Sequence, residues 1–379
     1  MKILIAGGGT GGHVFPGIAV AEELKLHHPK VEVVFIGGKR GIESTAVPEA
    51  GFRLRTLATA GFPRRQMWRW PGAALVNLWG LLQAVGIILN ERPKAVLGTG
   101  GYVSGPVSVA AKLLGVPLLI QEQNSIPGLT NRWLSRVADE VHLSFLEARE
   151  HFPRRDHLKV TGNPIRRYIV EGEREPALRE FKLSPGHPTV FIFGGSLGAK
   201  RITAAAVDAL RRLKGRFDVQ CILQTGQDEY EAVRSTVASA QLPVTVLPFV
   251  KKMHLAYAAA DLVVCRAGAM TLAEIAVCGR PSILVPYPFA AHDHQRVNAQ
   301  NLADRGAAVV IEDAELDGER LAKEIAHLLS DRTALSRMSA NARLFARPEA
   351  AVRLANSLVS WAEGRKGESE PEEAVEEGA

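Results

Sequence analysis

The sequence predicts an α/β protein made of two doubly wound parallel-sheet domains, and three observations carry that expectation. Short, wholly apolar runs alternate with longer amphipathic stretches, as strands buried on both faces do when helices wrap them. Glycine-rich turns stand where several of these runs hand over to a helix. The pattern then restarts at residue 189, after a charged, proline-containing linker over 171–187. With 379 residues, 46% of them hydrophobic, the chain is long enough for two such domains and can fill both cores.

The first element is Met1-Lys-Ile-Leu-Ile-Ala-Gly-Gly-Gly-Thr-Gly-Gly-His-Val-Phe-Pro-Gly17. Residues 3–6 read as a buried strand. Five of the next six residues are glycine, which lets the backbone turn tightly with positive φ and approach a ligand. A helical pattern begins at about Pro16, where Ile18, Ala19, Ala21 and Leu24 are apolar and Glu22, Glu23 and Lys25 polar. A helix opening out of such a loop turns N–H groups and a partial positive charge toward whatever fills it, which favours an anion and above all a phosphate. Gly7-x-Gly9-x-x-Gly12 also spells the dinucleotide fingerprint, but that fingerprint needs a carboxylate at the tip of the second strand. The strand over residues 31–36 runs instead into Gly-Gly-Lys39-Arg40, which argues against a nicotinamide cofactor. A tight turn without a ligand stays open. His13 sits where the helix dipole should lower its pKa, and a neutral imidazole can take a proton as a general base. A histidine that merely bonds loop backbone is the plainer alternative.

Further strands read at residues 95–97, 117–120 and 140–143. Two more turns fall at their carboxyl ends, where ligands sit in such sheets: Gly98-Thr-Gly-Gly-Tyr-Val-Ser-Gly-Pro106 and Gln121-Glu-Gln-Asn-Ser-Ile-Pro-Gly128. Between them and the second strand, residues 61–90 hold three of the five tryptophans, Trp68, Trp70 and Trp79, beside Arg64, Arg65 and Arg69. An apolar helix with Leu75, Leu78, Leu81 and Leu82 follows. Rings and cations together suit a membrane interface with anionic lipid; a core-facing helix with a basic entry loop fits the composition equally.

In the second half, strands read at residues 189–193, 219–224, 244–247, 262–265 and 282–285. Gly194-Gly-Ser-Leu-Gly-Ala199 is a glycine turn into a helix. Arg266-Ala-Gly-Ala-Met-Thr271 leads into another helix, whose first N–H groups and Thr271 hydroxyl can hold a diphosphate. Glu274, one turn in, can accept a ribose diol; a capping box with Thr271 or a dipole contact is the alternative. His292-Asp-His294 lacks a third metal ligand, so the loop reads as sugar-binding through Asp293 and Gln295.

Net charge is +6, and residues from Glu368 on hold six acids and no base, so the rest carries +12 and suits anionic partners: nucleotide, nucleic acid or membrane. No uninterrupted apolar run reaches the length of a spanning helix, and the opening strand leaves no room for a signal peptide. Cys221, Cys265 and Cys278 have no metal spacing and read as reduced thiols of a cytoplasmic protein.

Seven segments together resemble one family: residues 7–13, 100–106, 122–124, Gly-Asn-Pro-Ile-Arg at 162–166, 194–199, Arg-Ala-Gly-Ala-Met-Thr-Leu-Ala-Glu at 266–274 and His-Asp-His-Gln at 292–295. They look like the MurG family of N-acetylglucosaminyltransferases, over residues 1–362 and in the family's order. Met270, where leucine is common, is a small departure. The resemblance implies a GT-B fold, two Rossmann-like domains facing a cleft. These are residues 1–165 for acceptor and membrane and 166–345 for the UDP-sugar. A helix within 346–363 packs back across them, and an acidic tail, 364–379, has a disordered composition. It implies inverting transfer of N-acetylglucosamine from UDP-N-acetylglucosamine to the 4-hydroxyl of undecaprenyl-diphosphoryl-N-acetylmuramoyl-pentapeptide, completing the lipid-linked peptidoglycan precursor. The enzyme would be peripheral, on the cytoplasmic membrane face and its anionic lipid, with no cofactor, metal or nucleic acid.

The resemblance also implies site residues. Backbone near Val250 reads uracil, with Arg166 close by. Ser196 and the helix start Ala269, Met270 and Thr271 hold the diphosphate, and Glu274 the ribose; Leu272 and Ala273 between them count among the substrate-binding residues. Asn124 and Gln295 meet the sugar, and Thr10, Gly11 and Gly12 line the cleft. Trp68, Arg69, Trp70, Leu75, Leu78, Trp79 and Leu82 fall at the family's membrane patch. His13 is the candidate base; the first glycine loop holding the acceptor's diphosphate, with His13 orienting it, is the other possibility. Another GT-B lipid glycosyltransferase and a UDP-sugar 2-epimerase are the neighbouring readings.

Overall fold

A computed structural model describes residues 1–61, 68, 70–195 and 198–365. Ser196, Arg69, Arg64, Arg65 and the acidic tail from residue 366 lie outside the described residues. The chain divides into two compact units, residues 1–166 with the segment from Arg347 on, and residues 167–346.

The first unit is a parallel sheet of seven strands: β1 (Lys2–Gly7), β2 (Glu32–Gly38), β3 (Arg53–Leu57), β4 (Ala95–Gly100), β5 (Leu118–Glu122), β6 (Glu140–Leu143) and β7 (Leu158–Val160). Their order is β3-β2-β1-β4-β5-β6-β7, so the strand order reverses between β1 and β4. Helices α1 (Gly11–His27), α2 (Glu43–Glu49), α3 (Trp70–Glu91), α4 (Gly101–Leu113) and α5 (Leu129–Leu134) connect the strands. The alternation along β1 shows why both faces are covered. Ile3 and Ile5 pack with Val14 and Ile18 of α1, while Leu4 and Ala6 pack with Ala84 and Ile88 of α3 and Val107 of α4. The last helix, α14 (Ala350–Ala362), adds Leu354 and Leu358 to the α1 side of this core, and Trp361 donates its indole N–H to Glu140 at 3.0 Å.

The second unit repeats the arrangement with six parallel strands, β8 (Thr189–Phe193), β9 (Gln220–Gln224), β10 (Val244–Leu247), β11 (Leu262–Cys265), β12 (Ser282–Leu284) and β13 (Ala308–Val310), in the order β10-β9-β8-β11-β12-β13. Its helices are α6 (Arg174–Glu180), α7 (Lys200–Leu213), α8 (Tyr230–Ser239), α9 (Met253–Ala259), α10 (Ala269–Cys278), α11 (His294–Ala303), α12 (Gly318–Ser330) and α13 (Arg332–Leu344). Val190 and Ile192 of β8 face one core with α7 and α12; Phe191 and Phe193 face the other, with Tyr257 of α9 and Leu272 of α10.

Four expectations need correction. Strands β3, β7 and β13 were not expected: all three are short sheet edges, and β3 reads Arg-Leu-Arg-Thr-Leu with only Leu57 buried, so no apolar run announces it. The stretch 171–187, expected as a linker, contains α6, which buries Ala177 and Leu178. Helix α1 begins at Gly11 rather than near Pro16, because Gly11 and Gly12 have no side chains for periodicity to register; His13 is therefore in the first turn of the helix. Finally, α3 is long and apolar enough, by length and composition, to cross a membrane, although Asn77 and Gln83 interrupt its apolar run. Its inner stripe, Ala73, Gly80, Ala84 and Ile88, is packed on the unit. Asn77 exchanges two hydrogen bonds with Ala60 (2.9 and 3.2 Å), Gln83 accepts from Ala58 N–H at 2.8 Å, and buried Glu91 in the last turn pairs with Lys2 at 2.7 Å and Arg55 at 3.0 Å. The helix is tied down along its length.

Candidate functional site

In the first unit, the loops after β1, β4 and β5 meet at the carboxyl ends of their strands. Thr10 caps α1 by position, and its hydroxyl lies 3.2 Å from His13 Nδ1, fixing the imidazole. The second glycine loop closes over the ring. Gly100 and Gly101 have φ of +106° and +78°, and a Cβ on Gly100 would stand 2.7 Å from the His13 ring. Thr99, fully buried, donates its hydroxyl to the His13 carbonyl at 2.6 Å. The two glycine turns of the sequence are thus one structure around one histidine.

That structure is held by groups the sequence reading did not single out. Glu43, 1% exposed at the start of α2, accepts the N–H groups of Gly9 and Gly38, each at 2.9 Å. The Gly9 amide is therefore spent on the protein's own carboxylate. A signal was present: Glu43 follows Gly37-Gly38-Lys-Arg-Gly41 just past the tip of β2. Glu122, also buried, accepts from the Asn124 N–H (3.0 Å), the Asn124 side chain (3.2 Å), the Gly128 N–H (3.1 Å) and Asn131 (2.8 Å). Burial pushes its carboxyl up, against the pull of these donors. The contact also orients the Asn124 carboxamide. Gln121, Gln123 and Asn163 form a buried network beneath: Gln121 donates to Asn163 at 3.1 Å, Asn163 to the Gln123 carbonyl at 3.1 Å, and Gln123 to the Thr99 carbonyl at 2.5 Å. Arg166, in the same unit, lies 4.6 Å over the Phe15 ring of α1.

In the second unit, Gly268 is the cap of α10, with Leu272 N–H bonded to its carbonyl at 3.0 Å. Thr271 is then the third residue of the helix, which removes the capping box as an account of Glu274. Ala269 and Leu272 point into the core and offer a ligand only backbone, whereas Met270, Thr271, Ala273 and Glu274 are half-buried on the open side. Glu274 accepts the Tyr257 hydroxyl at 2.9 Å. Burial and the nearby carboxylate push that phenol well up, so Tyr257 stays a neutral donor that fixes the carboxylate plane. Tyr257 is fully buried against Phe191, and nothing in the sequence marks it. Val250 is buried and its N–H goes to Gln224 Oε1 at 2.9 Å. Gln295, in the first turn of α11, accepts the Tyr287 N–H at 3.0 Å through Oε1, which turns its NH₂ group the other way. Arg266 is taken by Asp313 (2.6 Å) and by the carbonyls of Val285 and Pro286. Among the described residues no group of three His, Cys, Asp or Glu side chains is placed to hold a metal ion.

On α3 the outward side chains Leu75, Leu78, Trp79 and Leu82 are all more than half exposed, and Trp68 and Trp70 are exposed before them. Leu113 at the end of α4 and Trp133 of α5 are exposed as well, and the Trp133 ring carries the Arg136 guanidinium at 5.3 Å. These the sequence reading missed.

Residues 3–143 match the glycosyltransferase family 28 N-terminal domain and residues 189–354 the family 28 C-terminal domain. A relative from Myxococcus xanthus is named UDP-N-acetylglucosamine--N-acetylmuramyl-(pentapeptide) pyrophosphoryl-undecaprenol N-acetylglucosamine transferase. It is 44% identical over 360 residues, 95% of this chain and 92% of its own. A relative of the same name from Chlorobaculum parvum is 45% identical over 364 residues, 95% of this chain and 99% of its own. The crystal structure of Acinetobacter baumannii MurG superposes with a TM-score of 0.73 at 32% identity, covering 95% of this chain and 99% of that one. The chain belongs to the MurG family. As a MurG-family glycosyltransferase it has the GT-B fold, and each of its two parallel sheets is one of that fold's α/β domains. A UDP-N-acetylglucosamine 2-epimerase superposes with a TM-score of 0.71 at 15% identity, which is a likeness of fold alone.

Proposed function

We propose that this MurG-family chain transfers N-acetylglucosamine from UDP-N-acetylglucosamine to the 4-hydroxyl of the undecaprenyl-diphosphoryl-N-acetylmuramoyl-pentapeptide, with inversion at the anomeric carbon. Sequence identity of 44–45% over nearly the whole chain, to relatives named for that reaction, carries the reading.

The second unit supplies the donor side. The start of α10 offers backbone N–H groups and a helix dipole to the departing diphosphate, and Thr271 adds a hydroxyl. Glu274, oriented by Tyr257, takes the ribose hydroxyls. The first unit supplies the acceptor side. His13, held by Thr10 and enclosed by Gly100 and Gly101, takes the proton of the attacking hydroxyl. The C–O bond to UDP breaks as the new glycosidic bond forms, and the pair of electrons leaves with UDP. The exposed face of α3 rests on an anionic membrane surface and meets the lipid acceptor there.

The deciding experiment is turnover of radiolabelled UDP-N-acetylglucosamine with a lipid-linked muramyl-pentapeptide acceptor. Product that forms only with acceptor supports transfer. Epimerised nucleotide sugar in its absence would overturn it. His13→Ala at saturating substrates should lower kcat by about a hundredfold or more, the usual worth of a general base; an unchanged kcat removes His13 from that role.

A further inference from the structure

The carboxyl end of β9 has no place in the reading above, yet it lies between the second unit's glycine turn and the backbone at Val250, the segments to which the family resemblance gives the diphosphate and the base. Gln224, its last residue, is buried and uses both ends of its carboxamide. Nε2 donates to the Gly195 carbonyl at 2.8 Å, and Oε1 accepts the Val250 N–H at 2.9 Å. The two residues after it repeat the pattern. Thr225 N–H bonds to the Leu247 carbonyl at 3.0 Å and Gly226 N–H to the Pro248 carbonyl at 3.1 Å. On the other side the Thr225 carbonyl lies where a Cβ on Gly198 would stand, 2.0 Å away, and Gly198 has φ of +79°. Residues 224–226 are therefore a wedge, with Gly195 and Gly198 against one side and Leu247, Pro248 and Val250 against the other.

We infer that Gln224 is a positioning residue that sets the distance between the base-binding and diphosphate-binding halves of the nucleotide site. The inference rests on the donor reading given above. A nucleoside diphosphate has a fixed reach from base to second phosphate, so two subsites act together only at one separation. A misplacement of an ångström forfeits the gain from binding both at once. A carboxamide suits the task because one planar group presents a donor and an acceptor in opposite directions. Burial beneath the loops makes each bond costly to lose.

The test uses the full chain and two variants, Gln224→Met, which keeps length and removes both bonds, and Gln224→Glu. UDP binding is measured by titration calorimetry, donor KM and kcat by turnover, and fold by circular dichroism and melting. Gln224→Met should weaken UDP binding by about tenfold or more and raise donor KM in step, while kcat at saturating donor falls by less than about threefold. Gln224→Glu gives a signature that a merely structural residue would not. As a carboxylate it repels the Gly195 carbonyl, whereas protonated it can donate there while still accepting from Val250. Its UDP affinity relative to the wild type should therefore recover as pH falls, the ratio cancelling the titration of the terminal phosphate itself. Folded variants that bind UDP as the wild type does would overturn the inference, and so would variants that do not fold, since Gln224 would then be a core residue only. Wild-type protein without UDP affinity would instead sink the donor reading itself.

Discussion

Replacing Glu43 by alanine is the sharpest test of how the first glycine turn is built. The side chain is 1% exposed and its two oxygens accept the Gly9 and Gly38 N–H groups at 2.9 Å. The turn is moulded on it: a Cβ on Gly8 would stand 2.5 Å, and one on Gly41 2.4 Å, from Glu43 oxygens. Alanine deletes both acceptors and leaves two donors in a closed site. Hydrogen bonds to charged groups are worth about 1.5–3 kcal/mol each, so the loss should be about 3–6 kcal/mol, a large part of a domain's stability. In a unit of this size that lowers melting by roughly 6 to 24 °C. Glu43→Gln keeps one acceptor and sets an NH₂ against the other N–H, so about half the loss is expected. Calorimetric melting with and without UDP is the assay, because a chain of two units need not unfold in one step. UDP binding should be unchanged, since the residues assigned to the nucleotide's phosphates and ribose lie in the second unit, and kcat should fall about tenfold or more as His13 loses its enclosure. A Glu43→Ala protein melting within about 2 °C of the wild type, with full turnover, would refute the reasoning.

Tyr257→Phe removes the hydroxyl that orients Glu274, one hydrogen bond to a charged acceptor, and should raise the UDP dissociation constant about tenfold with little change in kcat; an unaltered constant would show that Glu274 needs no such support. The buried His142, 2.7 Å from Glu140, is held below its ordinary pKa by burial, with Glu140 opposing. The unfolded chain therefore takes up a proton before the folded one does: stability is full above about pH 6.5 and lost as pH falls through the lower folded value. Glu140 adds the same sign further down, because burial is outweighed by His142, Lys159 and Trp361, which hold its carboxyl below the usual range. Melting followed from about pH 7.5 to about pH 5 should show the decline, and His142→Gln should flatten its upper part; a parallel slope in the variant would assign it elsewhere. Serine at Leu78, Trp79 and Leu82 together should leave melting unchanged, since all three are exposed, yet cut partition onto anionic vesicles about a hundredfold, at about 1 kcal/mol per side chain; equal partition would remove α3 from the membrane contact.

Much of this was legible in the chain. Strands β1, β2, β4 to β6, β8, β9, β11 and β12 announce themselves because a parallel strand buried on both faces is a largely apolar run, and a run such as Ile3 to Ala6 has no other use; β10, a half-buried edge, was legible only because Val244, Val246 and Leu247 are apolar. The glycine turns show where those strands end. Edge strands β3, β7 and β13 gave no such signal, because one side of an edge faces solvent and tolerates Arg53 or Lys159. The first turn of α1 was hidden for the opposite reason, since Gly11 and Gly12 have no side chains with which to mark a face.

By itself the sequence determined the two α/β sheets and the family, and it singled out the residues proposed for the chemistry: His13, Thr271, Glu274 and the glycines around them. Those follow from local rules, one strand or one helix start at a time. Tertiary structure alone decided which groups hold them in place. Glu43, Glu122, Gln224 and Tyr257 act on partners up to 34 positions away, and nothing short-range in a chain records which buried donor a carboxylate will meet. The physical reason is that hydrogen-bond satisfaction is a property of the closed interior, set only when separate strands bring their ends to one edge.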